Sequence, residues 1–263
     1  MSPASKNLSA PAGRARGRAG RAGRANRVAV GLRAVTFAAF GLCLMLTGCS
    51  VTTAGRPTAA PDLGRWQPAP IQPAQLNGLL LSPSEVNDIG GLTDLTLRST
   101  LSQMATDDES VVGRNCLDIY TPVQEKVYRD SNWNVVTGQL LNDGGPQGGP
   151  RHAVIQALVG FPDAEAAQQF FRQAEQRWSA CSGRSVFVIR SGRAPVAWSF
   201  RDVETNDNTL TATQIPSFRD GYTCQRAMGL RNNVIIDTLW CGFGTMSQAA
   251  QVVGKIAAAV SHT

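Results

Sequence analysis

The sequence predicts an α+β domain in which a mostly antiparallel sheet packs against helices, and two patterns carry that prediction. Short apolar runs of strand character recur at about 133–141, 152–160, 184–190, 195–203, 208–215, 221–231 and 234–241. Two other stretches repeat their apolar residues at helical spacing. One carries Ala167, Phe170, Phe171, Ala174 and Trp178, and the other Ala249, Val252, Val253, Ile256 and Val260.

Four local signals set the boundaries. Ser82-Pro83-Ser84-Glu85 reads as a helix start, with Ser82 as cap, Pro83 in the first turn and Glu85 closing a capping box. Asp163 opens the helix that ends near Cys181, and Thr245-Met246-Ser247-Gln248 reads as a second capping box. A glycine-rich loop, Asp143 to Pro150, separates the first two strand runs.

The N-terminal part is of another kind. Lys6, Arg14, Arg16, Arg18, Arg21, Arg24, Arg27 and Arg33 precede the apolar run from Ala34 to Gly48, and no acidic residue occurs before Cys49. A basic stretch followed by a run of this length is the pattern of a secretory signal, too short for a comfortable membrane span. It ends in Leu46-Thr47-Gly48-Cys49, which looks like a lipobox whose Cys49 thiol takes a diacylglycerol before cleavage. An uncleaved anchor is the alternative. No Arg-Arg pair is present, which favours general secretion, and translation starting at Val28 or Val30 would leave the mature chain unchanged.

Residues 1–48 are therefore expected to be a lipoprotein signal peptide. Residues 49–75, rich in Pro and Ala, are expected to be a disordered tether, and 76–263 a single folded domain without internal repeats. The formal charge of +6 belongs to the leader: without its eight cations the chain holds 17 basic against 19 acidic residues. That balance excludes a nucleic-acid partner as the reading of the high pI.

Of six cysteines, Cys43 lies in the leader and Cys49 takes the lipid. Cys116, Cys181, Cys224 and Cys241 remain, and the space beyond the bilayer permits disulfides. Asn232-Asn233, between two apolar runs, suits a two-residue type I′ turn. That turn sets Cys224 directly opposite Cys241, at a non-hydrogen-bonded pair with Cα atoms about 4.5 Å apart. Cys116–Cys181 is the pair left, joining a long loop region to the end of the helix begun at Asp163. A zinc site is disfavoured because no C-x-x-C spacing occurs.

Candidates for chemistry are few. His152 and His262 are the only histidines, and no G-x-S-x-G elbow accompanies them. His152 reads as an exposed loop residue, and Asp107-Asp108-Glu109 as a solvated turn without calcium-loop spacing. No carboxylate pair stands out for glycoside cleavage. In the same hairpin register, Arg226 stands among apolar neighbours with Asp237 diagonal to it. The pair reads first as a structural ion pair and second as a cationic group at the floor of a ligand cleft. Trp198 and Gln214 are weaker candidates for the same cleft.

Five segments carry a resemblance. Three are Leu81-Ser82-Pro83-Ser84-Glu85-Val86-Asn87-Asp88-Ile89-Gly90-Gly91, Phe170 to Cys181, and Thr211-Ala212-Thr213-Gln214. Gly221-Tyr222-Thr223-Cys224-Gln225-Arg226-Ala227-Met228 and Arg231-Asn232-Asn233-Val234-Ile235-Ile236-Asp237 with Cys241 are the most specific part. Together they resemble the PknH-type extracellular sensor domain of mycobacterial receptor serine/threonine kinases, which also occurs in mycobacterial lipoproteins.

The resemblance spans about 76–262. It implies a mixed sheet-and-helix domain with two disulfides and a central cleft for an unidentified ligand. No kinase domain or spanning helix is read in the chain, so signalling by its own phosphotransfer is not expected. The expectation is a non-catalytic, cofactor-free sensor lipoprotein on the extracytoplasmic face of the cell membrane. Its partner would be a small molecule, a cell-wall component or an envelope protein. An envelope hydrolase using His152 or a carboxylate pair, and a structural interaction module, are the alternatives.

Overall fold

The computed structural model describes residues 68–261 except 107–109, 146–148 and 219. The leader 1–48, Cys49, the acidic run 107–109 and His262 lie outside the described residues, as does the expected tether up to 67.

Among the described residues nine strands form one sheet: β1 (Thr96–Leu101), β2 (Ser110–Val112), β3 (Val135–Asn142), β4 (Ala153–Gly160), β5 (Ser185–Ile189), β6 (Val196–Asn206), β7 (Thr209–Pro216), β8 (Tyr222–Arg231) and β9 (Val234–Phe243). Their spatial order is β1-β3-β4-β9-β8-β7-β6-β5-β2, with every neighbouring pair antiparallel. The helices are α1 (Pro83–Gly90), α2 (Leu117–Tyr120), α3 (Glu125–Tyr128), α4 (Ala164–Cys181) and α5 (Gln248–Val260).

The sheet is covered on both faces. One face packs α2, α3 and α4 over Val136, Ala157, Ile235, Met228, Ala212, Phe200 and Val186. The other packs α1 and α5 over Leu141, Val154, Leu158, Ala227, Ile236 and Trp240. Alternation along β4, β8 and β9 divides their side chains between the two cores. Val252 and Ile256 of α5 are fully buried, and each such side chain contributes about 1.5–3 kcal/mol.

Local signals explain the ends. At α1, Ser82 Oγ accepts the Glu85 N–H while Glu85 Oε2 accepts the Ser82 N–H at 2.8 Å, a complete capping box. Asp163 caps α4 by accepting the Ala166 N–H at 2.8 Å. The box expected at Thr245 does not form. Thr245 Oγ1 donates to the Gly242 carbonyl, Gln248 Oε1 accepts the Met246 N–H, and Ser247 becomes the cap residue of α5.

The hairpin has the expected register, with Arg231 opposite Val234 and Cys224 opposite Cys241. Its turn departs from expectation: only Asn232 has positive φ, at 51°, the φ signs of a type II′ turn rather than type I′. Asn233 serves through its amide instead. It accepts from Ile71 N–H at 2.7 Å and donates to the carbonyls of Ile71 and Phe161. These bonds hold the entering chain, whose Ile71 is buried ahead of the domain start expected at residue 76. A 3-10 helix, Pro73–Leu79, follows it.

Both disulfides lie on the α2–α4 side. Cys116–Cys181 joins the 3-10 turn Arg114–Cys116 to the last residue of α4, with Cα atoms 5.7 Å apart. Cys224–Cys241 bridges β8 and β9 with Cα atoms 4.0 Å apart.

Candidate functional site

Antiparallel register arranges the α2–α4 face in rows, because directly paired residues share a face. Met228, Asp237 and Ala157 form one row across β8, β9 and β4. Ala212, Arg226, Leu239, Ile155 and Leu140 form the next, and Phe200, Gln214, Cys224, Cys241 and Ala153 the one beyond. Helices bury the first row completely. Farther along, Leu140, Ile155, Leu239, Ala153 and Trp198 are only half-buried.

Beneath the helices sits a charged network. Arg226 Nη1 lies 2.6 Å from Asp237 Oδ1, both side chains without exposed surface. Asp237 Oδ2 also accepts the Tyr128 hydroxyl and the Val123 N–H, each at 2.9 Å. Arg226 donates to the carbonyls of Thr238 (2.8 Å) and Asp118 (3.3 Å), and its guanidinium lies 5.2 Å from the Trp178 ring centre. Asp118 in turn accepts from Arg177 Nε at 2.8 Å. The chain of contacts thus runs from sheet to α2, α3 and α4, and fixes the helical layer through groups that cannot be left unpaired in a dry interior.

Electrostatics follow from that burial. Desolvation pushes the Asp118 carboxyl above its ordinary range, against the pull of Arg177 and Arg226. Desolvation first, and then the Asp237 and Asp118 charges, push the Tyr128 phenol well above its usual value. Tyr128 therefore remains a donor to Asp237.

The singled-out residues are brought together, but in a different capacity. Arg226 and Asp237 have no exposed surface, so the structural ion pair describes them and Arg226 does not form an open cleft floor. Gln214, 1% exposed, donates to the carbonyls of Ile119 (2.6 Å) and Tyr120 (2.9 Å) and so ties the end of α2 to β7. Of the four, Trp198 alone keeps a half-exposed side chain. Its ring lies 5.8 Å from that of Tyr120 and 6.2 Å from that of Phe218, and it packs with Leu239 and Ala153 against Tyr222 and the Cys224–Cys241 bridge.

Sequence reasoning missed Asp118, Tyr128 and Arg177. A signal for Asp118 existed: a single charge between Leu117 and Ile119, beside a disulfide cysteine. Tyr128 and Arg177 carry none, since each looks like an ordinary residue of an amphipathic helix.

His152 is not an exposed loop residue. Its side chain is 14% exposed, and its Nδ1 pairs with Asp143 Oδ2 at 2.7 Å. The ring lies so close over Gly242 of β9 that a Cβ there would stand 2.3 Å from it. Asp143 Oδ1 accepts the N–H groups of Arg151 and His152, which closes the glycine-rich loop at its base. Burial of Asp143 raises its carboxyl, but the His152 N–H, the His152 ring and the Arg151 N–H outweigh that and hold it below the usual range. Among the described residues the His152 ring makes no other hydrogen bond. Nor does any group of three or more His, Cys, Asp or Glu among them assemble a metal site.

Comparison with known proteins matches these features to one family. The profile of the PknH-like extracellular domain matches residues 71–260. The serine/threonine-protein kinase PknH of Mycobacterium tuberculosis is 30% identical over 203 aligned residues, covering 74% of this chain and 32% of the kinase. PknJ of the same species is 28% identical over 176 residues, 65% of this chain and 29% of that protein. This chain thus spans about a third of the length of the curated relatives it matches. The crystal structure of the extracellular domain of PknH from Mycobacterium tuberculosis superposes with a TM-score of 0.70 at 30% identity, covering 74% of this chain and 99% of that one.

Proposed function

The chain belongs to the PknH-like extracellular domain family, and from that premise we propose that it is a sensor module which binds a small molecule or cell-wall component without turning it over. The observation that carries the reading is the half-buried apolar strip of Trp198, Leu239, Ile155 and Leu140 beside the helical layer. Apolar walls with a few fixed polar groups are the usual composition of a small-molecule site. In this reading Trp198 touches the ligand. Gln214 and the Arg226–Asp237 pair act behind it as positioning residues, holding α2 and α3 at the edge of the strip.

The proposal includes the anchor. Acylation of Cys49 would hold the domain at the outer face of the cell membrane, with the Pro- and Ala-rich stretch after it as a spacer. Among the described residues no helix is long and apolar enough to cross a membrane, so a lipid is the means of attachment this reading uses.

Purification of the full-length protein with its native lipid, followed by mass spectrometry of co-purifying molecules, tests both parts. A diacylglyceryl mass on Cys49 and a small molecule present in wild type but lost in a folded Trp198→Ala variant are expected. An unmodified Cys49 sinks the anchor, and equal small-molecule content in both proteins sinks the binding strip. The hydrolase alternative would instead show as an activity lost in a folded His152→Ala variant.

A further inference from the structure

We propose that a second site, a cavity of about 220 Å³ at the junction of α2, α3 and α4, binds an oxyanion of the phosphate class. It lies on the outer side of the buried network and does not depend on the apolar strip being a ligand site. Among the described residues, Arg114, Lys126 and Arg177 line it together with a single carboxylate, Asp118. Three cations around one anion leave a local excess of positive charge in a partly walled space, where screening is weaker than at an open surface.

The carboxylate is already engaged. Asp118, with its side chain 4% exposed, receives Arg177 Nε at 2.8 Å, and its backbone carbonyl receives Arg226. Arg177 is fixed on a second side by the Phe170 ring, 5.3 Å from its guanidinium carbon. Its Nη2 is buried and finds no hydrogen-bond partner among the described residues. Arg177, held at Nε and 33% exposed where it lines the cavity, is a pre-positioned cation for phosphate. Arg114, whose Nε donates to the Val111 carbonyl at 3.3 Å, has its other nitrogens available for the same anion. Lys126 adds a point charge from α3. Another cavity, about 380 Å³ beside the start of α4, pairs Arg172 and Arg231 with Glu165 and has no comparable excess among the described residues.

A free phosphate and the headgroup of an anionic lipid present the same chemistry, so the test uses both. The full-length protein, isotope-labelled and held in detergent, is titrated with inorganic phosphate and separately with glycerophosphoglycerol, a lipid headgroup without acyl chains. Saturable shifts are expected at the Arg177 side-chain N–H and across 114–118. The Arg114→Ala/Lys126→Ala variant removes two exposed cations and, of the bonds described above, only the long one from Arg114 Nε to the Val111 carbonyl. It should keep its melting temperature and bind about tenfold more weakly for each charge-assisted hydrogen bond lost. Arg172→Ala, at the other cavity, should change nothing.

Saturation by phosphate alone assigns a free anion, and saturation by the headgroup alone assigns a lipid surface. Either supports the site if the double variant weakens it. Shifts that never saturate, or saturation unaffected by the double variant, overturn the proposal.

Discussion

The two faces of this sheet are built from different material. The face under α1 and α5 is closed by aliphatic residues in tight contact, with Val252, Val253 and Ile256 set against Ala227 and Ile236. There Gly229 passes so close beneath α5 that an added Cβ would lie 2.4 Å from Val253. The face under α2, α3 and α4 carries both disulfides, the Arg226–Asp237 pair, Tyr128 and Asp118, and it is covered over only part of its length. An apolar layer is held by area and tolerates repacking. A layer held by buried charges is fixed in one arrangement, and is costly when any one member is removed. The difference bears on the proposed function: the first face is closed by apolar packing, and the second holds helical elements in register beside the half-buried apolar strip proposed as the binding site.

The largest effect should come from breaking that charged layer. Arg226→Met leaves the Asp237 carboxylate buried with only Tyr128 and Val123 as donors, and should cost about 3–5 kcal/mol in urea unfolding. Adding Asp237→Leu should recover part of the loss. A double variant less stable than the single one would show that the pair is not the unit described here.

The disulfides come next. Removing Cys116–Cys181, which closes a sequence separation of 65, should cost about 4 kcal/mol. Removing Cys224–Cys241, with a separation of 17, should cost about 3 kcal/mol. Equal melting-temperature losses would mean that strand pairing, not chain entropy, sets the difference. On the other face, Ile256→Val deletes one methylene and should cost about 1 kcal/mol, with no change in the molecule that co-purifies.

The smallest effect concerns pH. Because the Asp143 carboxyl is held below its ordinary value of 3.8 when folded, its contribution is fully present above that value. It is lost as pH falls through the lower folded pKa. Asp143→Asn should therefore lower the melting temperature at neutral pH and converge on wild type in acid. A constant gap at all pH values would mean that the carboxylate charge is not what closes the loop.

Much of the fold was legible because it follows from periodicity. The β8–β9 register, α4 and α5 are read directly from where Val, Ile, Phe and Trp fall. β1 and β2 escaped because Thr96–Leu101 is a largely exposed edge strand without alternation and Ser110–Val112 is only three residues long. The candidate site was half-legible. An Arg on an apolar strand face announces a buried charge, and Asp237 in the adjacent row announces its partner. Tyr128, Val123 and Asp118 meet that pair from segments more than 100 residues distant in sequence, and no local pattern encodes such a meeting. His152 was misread for the same reason, since its cover is Gly242 on a strand far along the chain.

Amide hydrogen exchange of the full-length protein, with and without any small molecule found to co-purify with it, tests most directly whether the α2–α4 face binds as proposed. The account predicts slowed exchange across 117–128 and 196–200, and no change in α5. Protection confined to α5 and α1, with α2 and α3 unaffected, would contradict it.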